Sequence, residues 1–255
     1  MFQFEHNGLS AAHKLGFASS PKDQFDKHMH PFYEVVYLLQ GNVTFHVEEG
    51  CRKLNVGDAV FIKPGQYHFA DVVREETYER YVFKIEEEEL APLLIKRIAS
   101  YPSFFEDCRA LLPLLKTLDE EKGDEEERHI LILLRLEEFL LSLAKKEGAP
   151  INKTHSPLVQ KILFYVEEHL HEPLSLKTIA KRLNYSPSYV ARSFQDEMKL
   201  PLISYFRAKK VMAANALMRH GYKAKEAALT MGFEDYSTFY RSYKRLFGKP
   251  PSQNE

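Results

Sequence analysis

The amino-acid sequence predicts an α+β protein with more than one domain: a β-barrel at the N-terminus, a helical segment after it, and an all-α domain at the C-terminus. Three observations support this prediction. Residues 24–85 form short strand-like runs separated by glycine and proline. Residues 124–146 form one long apolar stretch with helical periodicity. Residues 174–251 contain the same helical pattern twice.

The composition is that of a soluble globular protein, with 44% apolar and 28% charged residues in a chain of 255. No apolar run reaches the ~18–20 residues that span a bilayer. Residues 1–20 lack the charged head and apolar segment of a signal peptide. The two cysteines, Cys51 and Cys108, are far apart in the sequence, which is typical of a reducing compartment. We therefore expect a cytoplasmic protein.

Charge divides the chain into two parts. The whole chain carries 35 Lys+Arg and 36 Asp+Glu, a net charge of −1. Residues 156–255 hold 16 of the basic and 9 of the acidic residues, so this part has a net charge of +7 and the remainder −8. A basic region joined to an acidic remainder is expected when only one of the two binds a polyanion.

Four strand-like runs define the predicted barrel, at residues 32–39, 43–47, 59–62 and 78–85. They are rich in β-branched and aromatic residues and stop near turn residues such as Gly41, Pro64 and Gly65. Many short strands without a helical period indicate a barrel or a sandwich. We assign residues 1–85 to this domain.

His28, His30 and Glu34 lie at the start of this region, and His68 follows the turn at Pro64. Positions 28, 30 and 34 have the same parity, so on a single strand their side chains would face the same way, although Pro31 strains such a strand. A neighbouring strand could bring His68 alongside. Three histidines and a carboxylate that converge inside a barrel can bind Zn, Fe, Mn, Ni or Cu.

This spacing resembles the two signature motifs of the cupin family, whose fold is a double-stranded β-helix or jelly roll. The resemblance implies a cupin-like sensor barrel with a divalent metal as candidate cofactor. Two alternatives remain open: a cavity whose polar groups orient a small molecule, or a filled barrel in which the histidines bond to one another. The candidate effector-binding residues and the candidate metal ligands are therefore the same four: His28, His30, Glu34 and His68.

Residues 86–147 are predicted to form helices that pack on the barrel. The run 124–146 begins with acidic and ends with basic residues, as a helix dipole favours. Its apolar residues occupy more than half of the helix circumference: Ile130, Leu131, Leu133, Leu134, Leu136, Phe139, Leu140 and Leu143. Such a helix must be covered on more than one side, by a second copy of the chain or by other helices of the same chain. We predict a homodimer, with a linker at residues 148–156.

Residues 157–255 are predicted to form an all-α domain in which one pattern occurs twice. Each copy has a small residue, a turn residue, apolar residues about every four positions and a proline: Ala180, Asn184, Val190, Phe194, Met198 and Pro201, then Ala228, Gly232, Phe239, Tyr243, Phe247 and Pro250. Gly and Asn tolerate the left-handed backbone that a tight turn requires. Each copy is therefore predicted to be a helix-turn-helix, which places its second helix in the major groove of DNA.

The outward faces of these second helices carry the candidate DNA-binding residues. They are Ser188, Ala191, Arg192 and Gln195 in the first copy, and Tyr236, Ser237, Thr238, Tyr240, Arg241 and Lys244 in the second. Arg192 and Arg241 suit bidentate reading of guanine, whereas Lys244, Arg245 and Lys249 suit phosphate contacts.

The connecting helix, residues 202–219, sets the predicted spacing of the two copies. At about 1.5 Å per residue it would hold them roughly 27 Å apart. Successive major-groove segments on one face of DNA recur about every 34 Å. Both recognition helices could therefore enter adjacent turns, with some bending of the DNA.

The second copy contains Gly232, Phe233, Glu234, Asp235, Ser237, Phe239, Arg241 and Tyr243, followed by Lys244, Phe247, Gly248 and Pro250. Together with Ser186, Pro187, Arg192 and Phe194 in the first copy, this resembles the signature of the AraC family of bacterial transcription regulators. The resemblance implies a dimeric, ligand-responsive activator or repressor whose two helix-turn-helix units bind one DNA half-site. Lys199 and Lys210 stand where the family has Gly and Arg. Ala224 and Ala227 replace larger aliphatics, from which we expect a looser second unit.

The sequence thus predicts a sequence-specific transcription regulator and no enzyme. Double-stranded DNA, a small-molecule effector, RNA polymerase and a second copy of the chain are the expected partners, and no membrane is expected. The competing hypothesis is a metal-dependent cupin oxygenase or isomerase that uses His28, His30, Glu34 and His68 and has an accessory DNA-binding domain. A third is an architectural DNA binder with no effector and little sequence preference.

Overall fold

The computed structural model describes residues 1–17, 27–120, 122–173 and 175–251. These residues form ten strands and nine α-helices in two compact units. The first unit comprises Met1–His28 and Phe32–Lys153, and the second comprises Met29–Pro31 and Thr154–Glu255. The predicted domains also include residues 18–26, 121, 174 and 252–255, which lie outside the described residues. None of the described helices is long and apolar enough to cross a lipid bilayer.

Two antiparallel sheets form the barrel-like part of the first unit. Their strands are β1 (Gln3–His6), β2 (Leu9–Phe17), β3 (Tyr33–Gln40), β4 (Val43–Val47), β5 (Gly50–Lys53), β6 (Ala59–Ile62), β7 (His68–Val72), β8 (Thr77–Ile85), β9 (Phe104–Phe105) and β10 (Lys153–Thr154). The larger sheet has the order β1-β2-β8-β3-β6-β9, and the smaller has the order β10-β5-β4-β7.

The strands predicted from β-branched and aromatic runs are all present. β4 and β6 have the predicted bounds, β3 is shifted by one residue at both ends, and β8 starts one residue earlier than predicted. β1, β2, β5 and β7 were not among the four predicted runs. β2 is the longest of them, and its Ala, Lys and Gly residues have low β-propensity, so it lacks the sequence signal of a strand.

The larger sheet has two buried faces. Odd-numbered residues such as Val35, Tyr37 and Phe83 pack towards the helical segment. Even-numbered residues such as Val36 and Leu38 pack with the smaller sheet inside the barrel. The period of two along a strand therefore separates an outer core from the barrel interior.

The helices of the first unit are α1 (Pro92–Ile98), α2 (Leu112–Lys116) and α3 (Glu125–Leu143). Asp124 caps α3: its carboxylate accepts a hydrogen bond from the Glu127 N–H at 2.9 Å, and the Glu127 carboxylate accepts one from the Asp124 N–H at 3.3 Å. Residues 104–118, within the segment predicted to be helical, form β9, a 3₁₀ turn, α2 and the start of a second 3₁₀ turn. Several short elements form there in place of one long helix because Pro113 interrupts the helical pattern.

The apolar surface of α3 is only partly covered within one chain. Leu136, Phe139, Leu140 and Leu143 are buried against the sheet, as is Ile132. Ile130, Leu134 and Leu141 are 56%, 56% and 52% exposed. At about 100° per residue these three lie within roughly 40° of one another, so they form one stripe, which we call the α3 stripe.

Residues 148–153, predicted as linker, are bound to the barrel. Gly148 bridges Phe105, and the Asn152 N–H donates to the Cys51 carbonyl oxygen at 3.0 Å. The two compact units meet in the chain at Lys153–Thr154. The stretch therefore adds a strand to the smaller sheet before the second unit begins.

The second unit contains α4 (Pro157–Glu168), α5 (Leu176–Leu183), α6 (Pro187–Met198), α7 (Leu202–Arg219), α8 (Ala224–Thr230) and α9 (Tyr236–Phe247). Ser156, Ser175 and Ser186 cap α4, α5 and α6 with their hydroxyls, and Asp235 caps α9 with its carboxylate. These capping residues fix where each helix starts, so the sequence specifies the turns as well as the helices.

Candidate nucleic-acid interface and barrel cavity

The first helix-turn-helix consists of α5, a turn at Asn184 and α6. Asn184 has a φ of 59°, the left-handed conformation that the turn requires. Val190, Phe194 and Met198 are buried, as their four-residue spacing predicts. Of the predicted DNA-binding residues, Ser188, Arg192 and Gln195 are exposed and Ala191 is half-buried. The predicted polar face of α6 is therefore on the surface.

The second helix-turn-helix consists of α8, a turn at Gly232 and α9. The Asp235 carboxylate accepts hydrogen bonds from the backbone N–H groups of Ser237 and Thr238 at 3.1 and 2.9 Å. The Thr238 hydroxyl and these N–H groups lower the pKa of Asp235. Phe239 and Tyr243 are buried. The predicted DNA-binding residues Tyr236, Ser237, Tyr240, Arg241 and Lys244 are exposed, and Thr238 is half-buried.

Thr238 connects the cap of α9 to Arg241. Its hydroxyl donates to Asp235 at 2.9 Å and accepts a hydrogen bond from an Arg241 Nη at 3.3 Å. The guanidinium is therefore oriented along the surface of α9 before any ligand binds. Thr238, predicted to contact DNA, also bonds to the arginine and so positions it.

Two exposed tyrosines at the start of α6 were not predicted as part of the site. Tyr185 and Tyr189 are 43% and 53% exposed, and their ring centroids lie 5.5 Å apart. Large aromatic side chains are seldom left paired on a surface without a partner to contact. Their spacing of four around the Ser186 cap is the sequence signal that identifies them.

A buried lysine joins the two helix-turn-helix units. Lys210, on α7, is 1% exposed, and its Nζ donates hydrogen bonds to the carbonyl oxygens of Glu172 and, at 3.1 Å, Gly232. Burial lowers the pKa of Lys210 to about 8, against the opposing effect of Glu234 and Glu172. Glu172 lies shortly before α5 of the first helix-turn-helix, and Gly232 is the turn of the second. One ammonium therefore bonds to both.

Gly232 also packs closely against that joint. A methyl group at this position would overlap the carbonyl oxygen of His171 and come within 3.1 Å of the Glu172 carbonyl carbon. The predicted reason for glycine, a left-handed φ, is present at 64°. The close backbone approach is a second reason that sequence alone did not indicate. We call Lys210, Gly232, His171 and Glu172 the inter-unit joint.

The side chains of His28, His30, Glu34 and His68 converge. One ligand atom of each lies within 4.8 Å of those of the others. The prediction that these residues come together is confirmed geometrically.

The reason given for that convergence was wrong. His28, His30 and Glu34 do not share a strand, since β3 begins only at Tyr33. His28 instead forms an isolated bridge with His68, through backbone hydrogen bonds of 3.2 and 3.1 Å. Pro31 lacks an N–H and keeps the segment out of the ladder, so a bridge and a strand start replace one continuous strand.

His68 has a defined orientation. Its Nδ1 lies 2.9 Å from the Gln66 carbonyl oxygen, so this nitrogen carries the proton and Nε2 has the lone pair. Nε2 lies 3.8 Å from the Glu34 carboxylate, and the Phe45 ring is parallel to the imidazole. A backbone carbonyl that fixes the tautomer of a histidine is the usual support of a metal-binding imidazole.

Next to these residues lies a cavity of about 140 Å³. Its apolar lining includes Val36, Phe45, Phe69, Tyr78 and Val82, and its polar lining includes His28, Glu34, His68, Lys14, Arg80 and Lys84. The three cations were missed by the sequence analysis. Arg80 and Lys84 are separated by an even number on β8, so they share one face of that strand.

Comparison with known proteins assigns both units. Residues 11–144, just over half of the chain, match the family of AraC-like ligand binding domains, and residues 179–254 match a helix-turn-helix domain family. The chain belongs to the AraC family of transcription regulators. The predicted family, the α+β fold class and the general function are thereby confirmed: an AraC-type regulator has a ligand-binding N-terminal domain and a helix-turn-helix DNA-binding domain.

Individual relatives of this AraC-family regulator cover different parts of it. It is 27% identical over 100 residues to the regulatory protein SoxS of Escherichia coli (strain K12), a match that spans 39% of this chain and 94% of SoxS. It is 23% identical over 256 residues to the uncharacterized HTH-type transcriptional regulator YdiP of the same strain, spanning 94% of this chain and 84% of YdiP. Among solved structures, ToxT from Vibrio cholerae O395 matches 96% of each chain at 14% identity, with a TM-score of 0.41.

Proposed function

We propose that the two helix-turn-helix units of this AraC-family regulator bind one DNA half-site together, and that a small molecule in the barrel cavity controls this binding. One observation carries the proposal: both recognition helices have capped N-termini and exposed polar faces, and the inter-unit joint connects them. A fixed relation between two such helices favours docking of both at once over docking of one at a time.

The roles of individual residues follow from their chemistry. Arg192 and Arg241 read guanine edges, because a guanidinium matches the O6 and N7 acceptors. Ser188, Gln195, Ser237 and Tyr240 contact neighbouring base edges or the backbone. Lys244, Arg245 and Lys249 neutralise phosphates and set the register on the duplex. The net charge of +7 over residues 156–255 supplies the long-range attraction.

His28, His30, Glu34 and His68 are the proposed effector-binding residues and form a polar side of the site. Both hydrogen-bond donors and acceptors occur among them, and the adjoining apolar walls receive the rest of the molecule. Binding there shifts the chain between states that differ in affinity for DNA, which is a coupling of two sites. RNA polymerase is the further partner expected of a regulator that activates transcription.

A divalent metal is the second candidate occupant of the four-residue group. The donor set of three imidazoles and one carboxylate suits Zn, Fe, Mn, Ni or Cu, and the Gln66 carbonyl already fixes His68 in the tautomer that presents Nε2. His28, His30, Glu34 and His68 would hold the ion. When bound, it would supply Lewis-acid chemistry or a coordination position for the effector.

The α3 stripe is proposed as the contact with a second copy of the chain. Ile130, Leu134 and Leu141 are each more than half exposed and lie on one side of a helix whose other side is packed on the sheet. A helix with this arrangement can pair with its own copy about a two-fold axis. A dimer would present two sets of helix-turn-helix units to DNA.

The proposed function is tested by selecting duplexes from a random DNA pool with the full-length protein, in the presence and absence of a metabolite extract. We expect a defined sequence to be enriched, and its recovery to change when the extract is present. Recovery of unrelated sequences would contradict the regulator and favour an architectural binder. Bound metal together with turnover of a substrate would instead favour the cupin enzyme.

A further inference from the structure

The described lining of the barrel cavity carries more positive than negative charge. Lys14, Arg80 and Lys84 are cationic, and Glu34 is the one carboxylate among the described lining residues. Lys84 Nζ lies 3.8 Å from the Glu34 carboxylate, so these two offset each other. The described lining therefore keeps an excess of two positive charges beside aromatic walls.

The strand register brings two of these cations together. Lys14 on β2 is the direct partner of Arg80 on β8, and Lys84 on β8 is the direct partner of Glu34 on β3. Like charges directly opposite on neighbouring strands are destabilising. Burial lowers the pKa of Lys14, and repulsion from Lys84 and Arg80 adds to this effect. The folded protein therefore has unfavourable repulsion between cations that line the cavity.

The volume and the lining of the cavity limit which ligands could offset that repulsion. An engineered apolar cavity of about 150 Å³ holds one benzene molecule, and this cavity measures about 140 Å³. Phe45, Phe69, Tyr78 and Val82 would be left without apolar contacts by a bare inorganic anion. A neutral sugar would need amides and carboxylates, and Glu34 is the only such group in the described lining.

We propose that the effector is a small organic carboxylate whose apolar body is about the size of one six-membered ring, with its carboxylate between Lys14, Arg80 and Lys84. This inference rests on the proposed effector function and names its ligand class. The carboxylate forms charge-assisted hydrogen bonds with the cations and relieves the repulsion between Lys14 and Arg80. Glu34 competes with it for Lys84.

The test uses the full-length protein, dialysed against EDTA to remove metal, with benzoate and cyclohexanecarboxylate as probes. The matched amides, benzamide and cyclohexanecarboxamide, have the same shape without the charge. We expect the acids to raise Tm and to bind at least about tenfold more tightly than the amides in calorimetric titrations. Equal binding of acids and amides, or no binding of either acid, would overturn the proposal.

Three variants test the assigned contacts. Lys14→Gln should weaken benzoate binding about tenfold, whereas Lys96→Gln, an exposed lysine on α1, should leave it unchanged. Arg80→Gln should weaken it as well. Glu34→Gln should tighten binding because the competing carboxylate is removed; weaker binding by this variant, in the same metal-free protein, would contradict direct binding by the cations. Loss of carboxylate binding while a defined DNA sequence is still selected would refute this inference alone.

Discussion

The Nζ of Lys210 donates a hydrogen bond to the carbonyl oxygen of Gly232 at 3.1 Å, so a buried ammonium on α7 holds the turn of the second helix-turn-helix. The same ammonium also bonds to the carbonyl oxygen of Glu172, shortly before the first helix-turn-helix. The AraC-family resemblance implied Arg at this position, and the shorter Lys210 side chain reaches both carbonyls.

The pH dependence of stability should report Lys210. Burial lowers its pKa to about 8 from an ordinary value of 10.5. Between these values the unfolded chain binds the extra proton, so the free energy of unfolding should rise with pH by up to about 3 kcal/mol. Urea unfolding of the wild type and Lys210→Met at pH 7, 8, 9 and about 10 measures this. The variant should lack the rise; parallel pH profiles would contradict the assignment.

Gly232→Ala should destabilise the second helix-turn-helix more than Gly248→Ala does. Both glycines have a left-handed φ, of 64° and 73°, so alanine strains both backbones by roughly 1–2 kcal/mol. Only at Gly232 would the new methyl group also overlap the His171 backbone; at Gly248 it would meet no described atom within 4 Å. Denaturant midpoints of the two variants give the comparison. Equal losses of stability in the two variants would show that the close approach of Gly232 to the His171 backbone has no energetic effect.

Arg192→Ala and Arg241→Ala should each cost about 1–3 kcal/mol in binding to the selected DNA sequence and relax the base preference at one position. Lys249→Ala should weaken binding to all sequences and reduce the slope of log K against log salt by about 1. Fluorescence anisotropy over a salt series measures both. Lys161→Ala, an exposed cation on α4, is the control and should change neither.

Leu134→Glu should weaken self-association because it puts a carboxylate in the middle of the α3 stripe. We expect the dimer dissociation constant to rise at least about tenfold in analytical ultracentrifugation. Leu229→Glu, which alters an exposed leucine on α8, serves as the control and should not change it. A wild type that is monomeric at micromolar concentration would refute the proposed contact.

The helical unit could be predicted closely because its signals are local. A serine or aspartate cap, a proline at the first helical position and apolar residues four apart all lie within one or two turns of chain. Lys199 illustrates a limit. At the C-terminal cap of α6, where the resemblance implied Gly, this lysine adopts a left-handed φ of 59°.

The barrel interior could be predicted only in part because its contacts are not local. The convergence of four side chains could be expected from a motif, although the bridge between His28 and His68 that produces it could not. Lys14 lies opposite Arg80 because β2 pairs with β8. β2 contains no β-branched run from which a strand could be predicted. The cation pair, and with it the preference for an anion, therefore emerged only from the strand register.

The central claim is that both recognition helices dock on one site in a fixed relation. The most direct measurement is the affinity of the full-length protein for its selected sequence after insertion of about 5 base pairs between the two contacted blocks, roughly half a helical turn. We predict a loss of at least about a hundredfold, whereas the same insertion outside the blocks has no effect. Unchanged affinity after the internal insertion would contradict the claim.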